Sequence, residues 1–335
     1  MSGAPFPVGR WRLRRAVPCL ALLTAAASFG GDRVRLRLPT RAPAPQLGGC
    51  PMFPGDSIWN ARVDALPPDP RSAEYVATIG EDTPMHADFG SGTWQGGPIG
   101  IPFTVVPSGQ PRANVDFSYA AESDPGPYPI PPDAPVEGGS ASTGDRHVLV
   151  VEAGRCRLFE LWAATPRADG SWSAGSGAVF DLRSNALRPA GWTSADAAGL
   201  AILPGLVRWD EVAAGEIRHA LRFTTERTRR AFVWPARHFA SSSTDPALPA
   251  MGQRFRLHSS FDVTGFPPTV LVILAALKRY GMMLADNGSD LYLSGVPDER
   301  WDNDVLRALR RVHGRDFEAV DVSSLQREPD SGQVR

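Results

Sequence analysis

The densest chemistry in the sequence lies between Glu216 and His238. Read as a strand, Glu216 to Thr225 puts Glu216, Arg218, Ala220, Arg222 and Thr224 on one face and Ile217, His219, Leu221 and Phe223 on the other. A face of Glu, Arg, Arg and Thr suits a concave sheet that holds a polar or anionic ligand. His219, on the apolar face, is either a core residue with both ring nitrogens satisfied or a general base at a cleft edge. Trp234-Pro-Ala-Arg237-His238 ends the next expected strand. An indole, a guanidinium and an imidazole where a strand meets a loop make a ligand rim, or ordinary packing. If the two strands are hairpin neighbours, His238 falls near Glu216 to His219.

Two further stretches carry titratable groups. Asp181-Leu-Arg-Ser-Asn185, Arg188 and Trp192-Thr-Ser-Ala-Asp196 form a polar run after a strand. Asp181 serves as acid or base, or pairs with Arg183, and most such pairs are structural. Trp192 could stack on a sugar ring. Asp286 and Asn287 sit where two apolar segments meet an Asn-Gly turn. The expected site therefore takes His219, His238, Asp181 and Asp286 as catalytic groups and Arg222, Arg237, Trp192, Trp234 and Asn287 as substrate contacts. A histidine beside a carboxylate could move a proton, and the arginines could hold an acidic sugar.

Other chemistry is thinly represented. His86, Asp88, His147, His219, His238 and His258 supply metal-ligand types, but no His-x-His or His-Glu-x-x-His spacing occurs. No metal is expected and no cofactor; a Ca²⁺ site could draw on Asp286, Asn287 and Asp290, though a turn with Asx side-chain bonds is the simpler account. There is no Gly-x-Ser-x-Gly, no phosphate loop and no dinucleotide fingerprint.

The elements that must position these groups read as mostly β. Period-two or apolar runs at Gly100–Val106, Arg146–Glu152, Arg157–Ala163, Ala178–Leu182, Ala231–Trp234 and Gln253–His258 predict strands. Pro268–Tyr280 predicts a buried helix, with proline at its start and Gly281 past its end. Asp302–His313 predicts an amphipathic helix burying Val305, Leu309 and Val312. The segment between them, Met282–Ser294, predicts two strands around Asn287-Gly288. The expected fold is a mostly antiparallel β-sandwich or jelly-roll-like domain with two C-terminal helices.

The N-terminus reads as an export signal. Arg10, Arg12, Arg14 and Arg15 precede the apolar run Ala16–Ala27, which is too short to span a bilayer. We assign residues 1–27 to a signal peptide, 28–49 to a linker, 50–322 to one domain and 323–335 to a disordered tail. The expected location is secreted or periplasmic. Cleavage removes Cys19 and leaves Cys50 and Cys156, which are expected to form a disulfide in an oxidising compartment. The whole chain carries a formal charge of −1, and losing the leader's four arginines makes it more acidic. No basic stripe is present, so nucleic acid is not the expected partner, and no stable membrane span remains after processing.

Four long motifs carry a resemblance. Cys50-Pro-x-Phe-Pro, Glu122-Ser-Asp-Pro-Gly-Pro-Tyr-Pro-Ile-Pro131, Phe180-Asp-Leu-Arg-Ser-Asn-Ala-Leu-Arg-Pro189 with Gly191-Trp-Thr-Ser-Ala-Asp-Ala-Ala-Gly199, and Tyr280-Gly-Met-Met-Leu-Ala-Asp-Asn-Gly-Ser289 together resemble a family of secreted bacterial proteins of unknown function. The resemblance covers most of residues 50–322. It implies export and a single domain and names no substrate. Two classes of function fit the residues: an enzyme acting on an extracellular polysaccharide, as glycosidase or lyase, or a non-catalytic carbohydrate-binding or cell-surface protein.

Overall fold

In the computed structural model, residues 44–335 are described. The signal-peptide reading of 1–27 and the linker up to residue 43 lie outside them. In chain order the strands are β1 (Gln46–Leu47), β2 (Cys50–Pro51), β3 (His86–Asp88), β4 (Thr93–Trp94), β5 (Gly97–Pro98), β6 (Phe103–Val106), β7 (Val115–Phe117), β8 (Val148–Glu152), β9 (Arg157–Trp162), β10 (Thr165–Pro166), β11 (Trp172–Ala174), β12 (Ser176–Asp181), β13 (Leu221–Thr225), β14 (Arg254–Leu257), β15 (Met282–Asn287), β16 (Tyr292–Ser294) and β17 (Phe317–Val320). The helices are α1 (Ser72–Ile79), α2 (Trp209–Ala213), α3 (Pro268–Arg279) and α4 (Asn303–Leu306). The chain is mostly β, in several sheets with a few helices.

Two larger sheets position the site. One runs β12-β9-β8-β6, the other β17-β14-β15-β13-β16-β3. Both are mixed: β6 pairs β8, β13 pairs β15 and β16 pairs β3 in parallel, where a mostly antiparallel arrangement was expected. The four-stranded sheet is buried on both faces. Leu149, Val151, Leu158 and Ala178 turn toward the main core, while Val148, Val150, Phe159 and Leu161 meet Tyr128 and Trp172 in a second cluster. Double-sided burial explains why these strands read as continuous apolar runs.

In the six-stranded sheet, Leu221 and Phe223 pair with Met282 and Leu284, and Phe255 also pairs with Met282. These residues form one apolar face; Arg222, Met283 and Arg254 share the other. Helix α3 packs against β14 and buries Val270, Ile273, Leu274, Ala276 and Leu277. One stripe stays outside, with Leu271 36% exposed, so α3 is not buried all round. Gly281, at φ +66°, ends it; a β-carbon there would lie 2.1 Å from the Phe255 carbonyl oxygen.

Several expected elements differ. The strand expected from Glu216 begins only at Leu221, so His219 lies before it. Ala231–Trp234 is no strand and no neighbour of β13; only Phe232 makes a bridge, to Met251. The hairpin expected at Asn287-Gly288 is not formed either, because β13 lies between β15 and β16. The strands are adjacent in sequence, but the central strand arrives from elsewhere. The helix expected over Asp302–His313 is α4 followed by a 3-10 turn, Arg307–Arg311. Residues 323–335 are tied down rather than disordered: Ile58 and Asn185 bond Gly332, Val334 donates to the Asp56 carbonyl, and Val334 is buried. Cys50 and Cys156 form the expected disulfide across 106 positions of sequence.

Candidate functional site

Where the two larger sheets approach each other, one cleft of about 320 Å³ opens. The four-stranded sheet contributes through alternation. Glu160 and Trp162 are successive inward positions of β9, and Ser176 is the register partner of Trp162. Gly175 lets the indole lie against the backbone, since a β-carbon there would sit 2.2 Å from the Trp162 ring. Tyr119 continues the aromatic wall, its ring centroid 6.2 Å from that of Trp162. The indole N–H donates to Asp145 Oδ1 at 3.1 Å.

The six-stranded sheet contributes through an irregularity. Strict alternation would turn Asp286 to the same side as Met282 and Leu284, the apolar face. The register shifts between Phe223 and Thr224, so that Leu284 pairs Phe223 but Asp286 pairs Thr224. The extra residue, Ala285, is a β-bulge that re-aims Asp286 onto the face of Arg222. The Ala285 carbonyl freed there accepts from Ala198 N at 2.9 Å.

That bond belongs to a strap, residues 192–207, which bridges the sheets. Ser176 Oγ donates to the Ser194 carbonyl at 2.6 Å. Ile202 N and Leu203 N donate to the Glu160 carboxyl at 2.9–3.0 Å. Val207 N donates to the Ser294 carbonyl. The strap carries Asp196, whose two oxygens accept from Arg222 Nε at 3.0 Å and Nη2 at 2.9 Å. The same Nη2 reaches Asp286 Oδ2 at 3.3 Å, and Arg222 Nη1 donates to Ser294 Oγ at 2.6 Å.

The electrostatics follow from burial. Burial, then the charge of Asp196, push the Asp286 carboxyl up to about 7, with Arg222 and His147 only partly opposing. Asp286 therefore carries a proton through the mildly acid range while remaining 20% exposed to the cleft. Burial also raises Glu160, to about 7, against the two backbone N–H bonds that favour its charged form. His147 is buried, which opposes its charge, but the Glu137 carboxylate 2.6 Å from Nδ1 outweighs this and brings it up to about 9. Its Nε2–H donates to the Ala195 carbonyl at 3.0 Å. Arg222 rises further above its ordinary value, as Asp196 and Asp286 overcome its burial.

Of the expected site residues, His238 and Asp286 line this cleft, together with Glu122, Asp145 and Asp196. His238 Nδ1–H donates to the Ala197 carbonyl at 2.8 Å, and Nε2 lies 4.0 Å from Glu122 Oε2. Arg222 stands behind Asp286. The others are elsewhere engaged. His219 is fully buried and does not line the cleft: Nε2 bonds Glu211 at 2.9 Å and Nδ1 the Ala220 carbonyl at 2.8 Å, the satisfied core arrangement. Asp181 is exposed at the end of β12 and accepts from Arg183 N. Arg237 clamps the C-terminal segment through the Pro329 carbonyl and Asp330. Trp234 donates to the Ser331 carbonyl and packs near Val320 and Val322. Trp192 lies under the Arg188 guanidinium, and Asn287 bonds Thr228 and the Glu226 carbonyl. Asp290 accepts from Thr225 and Glu226 N, while Asp286 Oδ1 accepts from Asn287 N at 2.7 Å, so the three side chains do not converge on one point. Among the described residues no three His, Cys, Asp or Glu side chains gather as metal ligands.

Sequence reasoning missed Glu122, Asp145, Trp162, Glu137 and Glu160 as a group. Glu160 left a readable trace: a carboxyl within Leu158-Phe-Glu-Leu-Trp162, a run apolar on both faces, is a buried ionisable group.

Compared with sequence families, with curated proteins and with solved structures, the chain gives no match.

Proposed function

We propose that the protein is an exported glycoside hydrolase that works by general acid catalysis from Asp286. The observation that carries the reading is a proton-bearing carboxyl, with its pKa at about 7, in one cleft with Glu122, Asp145 and an aromatic wall. Carboxyl groups whose environments differ this way divide into acid and base. Tyr119 and Trp162 offer the flat apolar surface on which a sugar ring stacks.

In this reading Asp286 gives its proton to the glycosidic oxygen as the bond to the anomeric carbon breaks. A water adds its oxygen to that carbon, and its proton passes to Glu122, with His238 beside it. Because Nδ1–H is committed to the Ala197 carbonyl, Nε2 is the ring nitrogen that faces Glu122, at 4.0 Å. One water is consumed and two free sugar ends result. Elimination on a uronate needs a cation to neutralise the sugar carboxylate; Arg222 is taken by Asp196 and Arg237 by the C-terminal segment, which supports hydrolysis over a lyase.

The test is a panel of polysaccharides incubated with purified protein, read for new reducing ends and for unsaturated uronate absorbance. Reducing ends without absorbance are expected, lost in Asp286→Asn and Glu122→Gln proteins that keep the circular dichroism of the parent. Uronate absorbance, or full activity in Asp286→Asn, refutes the assignment. Binding to a glycan without cleavage would instead mark a carbohydrate-binding protein.

A further inference from the structure

The charge of the cleft bears on the substrate, and it opposes the expectation of an acidic sugar. Among the described residues, four carboxyl side chains line it, Glu122, Asp145, Asp196 and Asp286, and no lysine or arginine does. Two nearby cations are already neutralised, and the His238 imidazole lies 4.0 Å from Glu122. Arg222 is held by both oxygens of Asp196 and by Ser294, and His147 by Glu137. Glu122 and Asp145 are different: each accepts an N–H from a neutral donor, Thr193 N at 3.1 Å and the Trp162 indole at 3.1 Å. Neither has an arginine or lysine partner among the described residues.

We infer that the glycan unit seated against Trp162 carries a free ammonium group, as a 2-amino-2-deoxy sugar does. This rests on the hydrolase reading of the same cleft and names its substrate class. A uronate entering here meets carboxylates with no uncommitted arginine or lysine among the described residues, and like charges in a partly desolvated cleft repel. A neutral sugar leaves Asp145 uncompensated, and Glu122 faced only by the His238 imidazole 4.0 Å away. An ammonium compensates them, and the geometry says where: Asp145 binds the edge of the indole, so a sugar stacked on that ring brings an equatorial substituent beside the carboxylate.

The experiment is calorimetric titration of Asp286→Asn protein, which blocks cleavage, with four tetrasaccharides at about pH 6, where an amino sugar is charged. They are the tetramers of glucosamine, N-acetylglucosamine, glucose and galacturonate. The glucosamine tetramer should bind about tenfold or more tightly than either neutral tetramer, equivalent to ~1.4 kcal/mol, and the galacturonate tetramer should give no heat. Added salt should shrink the preference. Asp145→Asn, whose amide oxygen still accepts the indole N–H, should narrow the ratio of charged to neutral binding severalfold. Equal binding of glucosamine and neutral tetramers, binding of galacturonate, or no binding by any tetramer overturns the inference. The two readings separate in the parent protein. Cleavage of glucose tetramers without a cationic preference leaves the hydrolase standing, whereas tight binding of uncut glucosamine tetramers leaves the charge preference standing.

Discussion

Asp286→Asn should stabilise the folded protein while disabling it, and the two effects have one cause. In the unfolded chain an aspartate ionises at its ordinary value of 3.8; in the fold Asp286 holds its proton to about 7. The folded state therefore binds the proton more tightly, so stability from this group is complete below about pH 4 and is lost as pH rises through about 7. The gap corresponds to ~4 kcal/mol at alkaline pH, and because the side chain keeps 20% exposure an effect of about 2–4 kcal/mol is the reasonable range. Asparagine reproduces the protonated shape without the charge, and Arg222 keeps both oxygens of Asp196. Urea unfolding of parent and variant at several pH values between about 5 and 8 should show the variant's advantage growing with pH and levelling above about 7. The turnover of the same variant should fall by about 10²–10⁴-fold, the usual contribution of a general acid. An advantage that does not change with pH would refute the buried-proton argument. A stabilised variant with intact turnover would keep that argument and remove Asp286 from the chemistry.

Reduction of the Cys50–Cys156 bond, which closes 106 positions of chain, should cost ~4–5 kcal/mol, read as a lower denaturant midpoint, with neither Cys50 nor Cys156 open to alkylation before reduction. His219→Ala should lower stability by about 2–3 kcal/mol, since it leaves a buried Glu211 oxygen short of a partner, and should leave the pH dependence of turnover as it was. Glu137→Gln should remove the support of the His147 charge. The parent's stability from that group is complete below about pH 6.5 and lost as pH rises through about 9, and the variant should lose this slope in unfolding measurements. Gly175→Ala should push the Trp162 ring from the cleft wall, shifting tryptophan fluorescence and weakening sugar binding by about tenfold.

What the sequence disclosed, and what it withheld, divides along physical lines. The strands of the four-stranded sheet were legible because burial on both faces imposes apolar runs such as Val148-Leu-Val-Val, and helix α3 because Pro268 opens it and Gly281 follows its end. The disulfide was legible because reading the N-terminus as an export signal sets Cys19 aside and leaves Cys50 and Cys156 to pair. Pairing order was not legible. Placing β13 between β15 and β16 depends on which apolar edges meet in three dimensions, and the Asn-Gly signal favours a local hairpin that the sheet overrides. His238 and Asp286 were found by residue type, whereas Glu122 and Asp145 lie in irregular segments where no period marks which way a side chain points.

The bulge at Ala285 shows why the site could not be assembled from alternation alone. Each strand around the cleft obeys period two except β15, and the acid of the proposed reaction sits one residue past the exception. A regular β15 would turn Asp286 toward the apolar face, where its carboxyl would meet Leu284 and Met282 instead of Arg222. The bulge costs a ladder bond, and the Ala198 amide of the strap supplies a replacement to the Ala285 carbonyl. The same strap brings Asp196, whose charge helps to hold the proton on Asp286. One covalent segment thus satisfies the irregular backbone and supplies the neighbour that sets the acid's proton affinity. This couples the placement of Asp286 to its chemistry through residues 194–198, which no strand or helix contains.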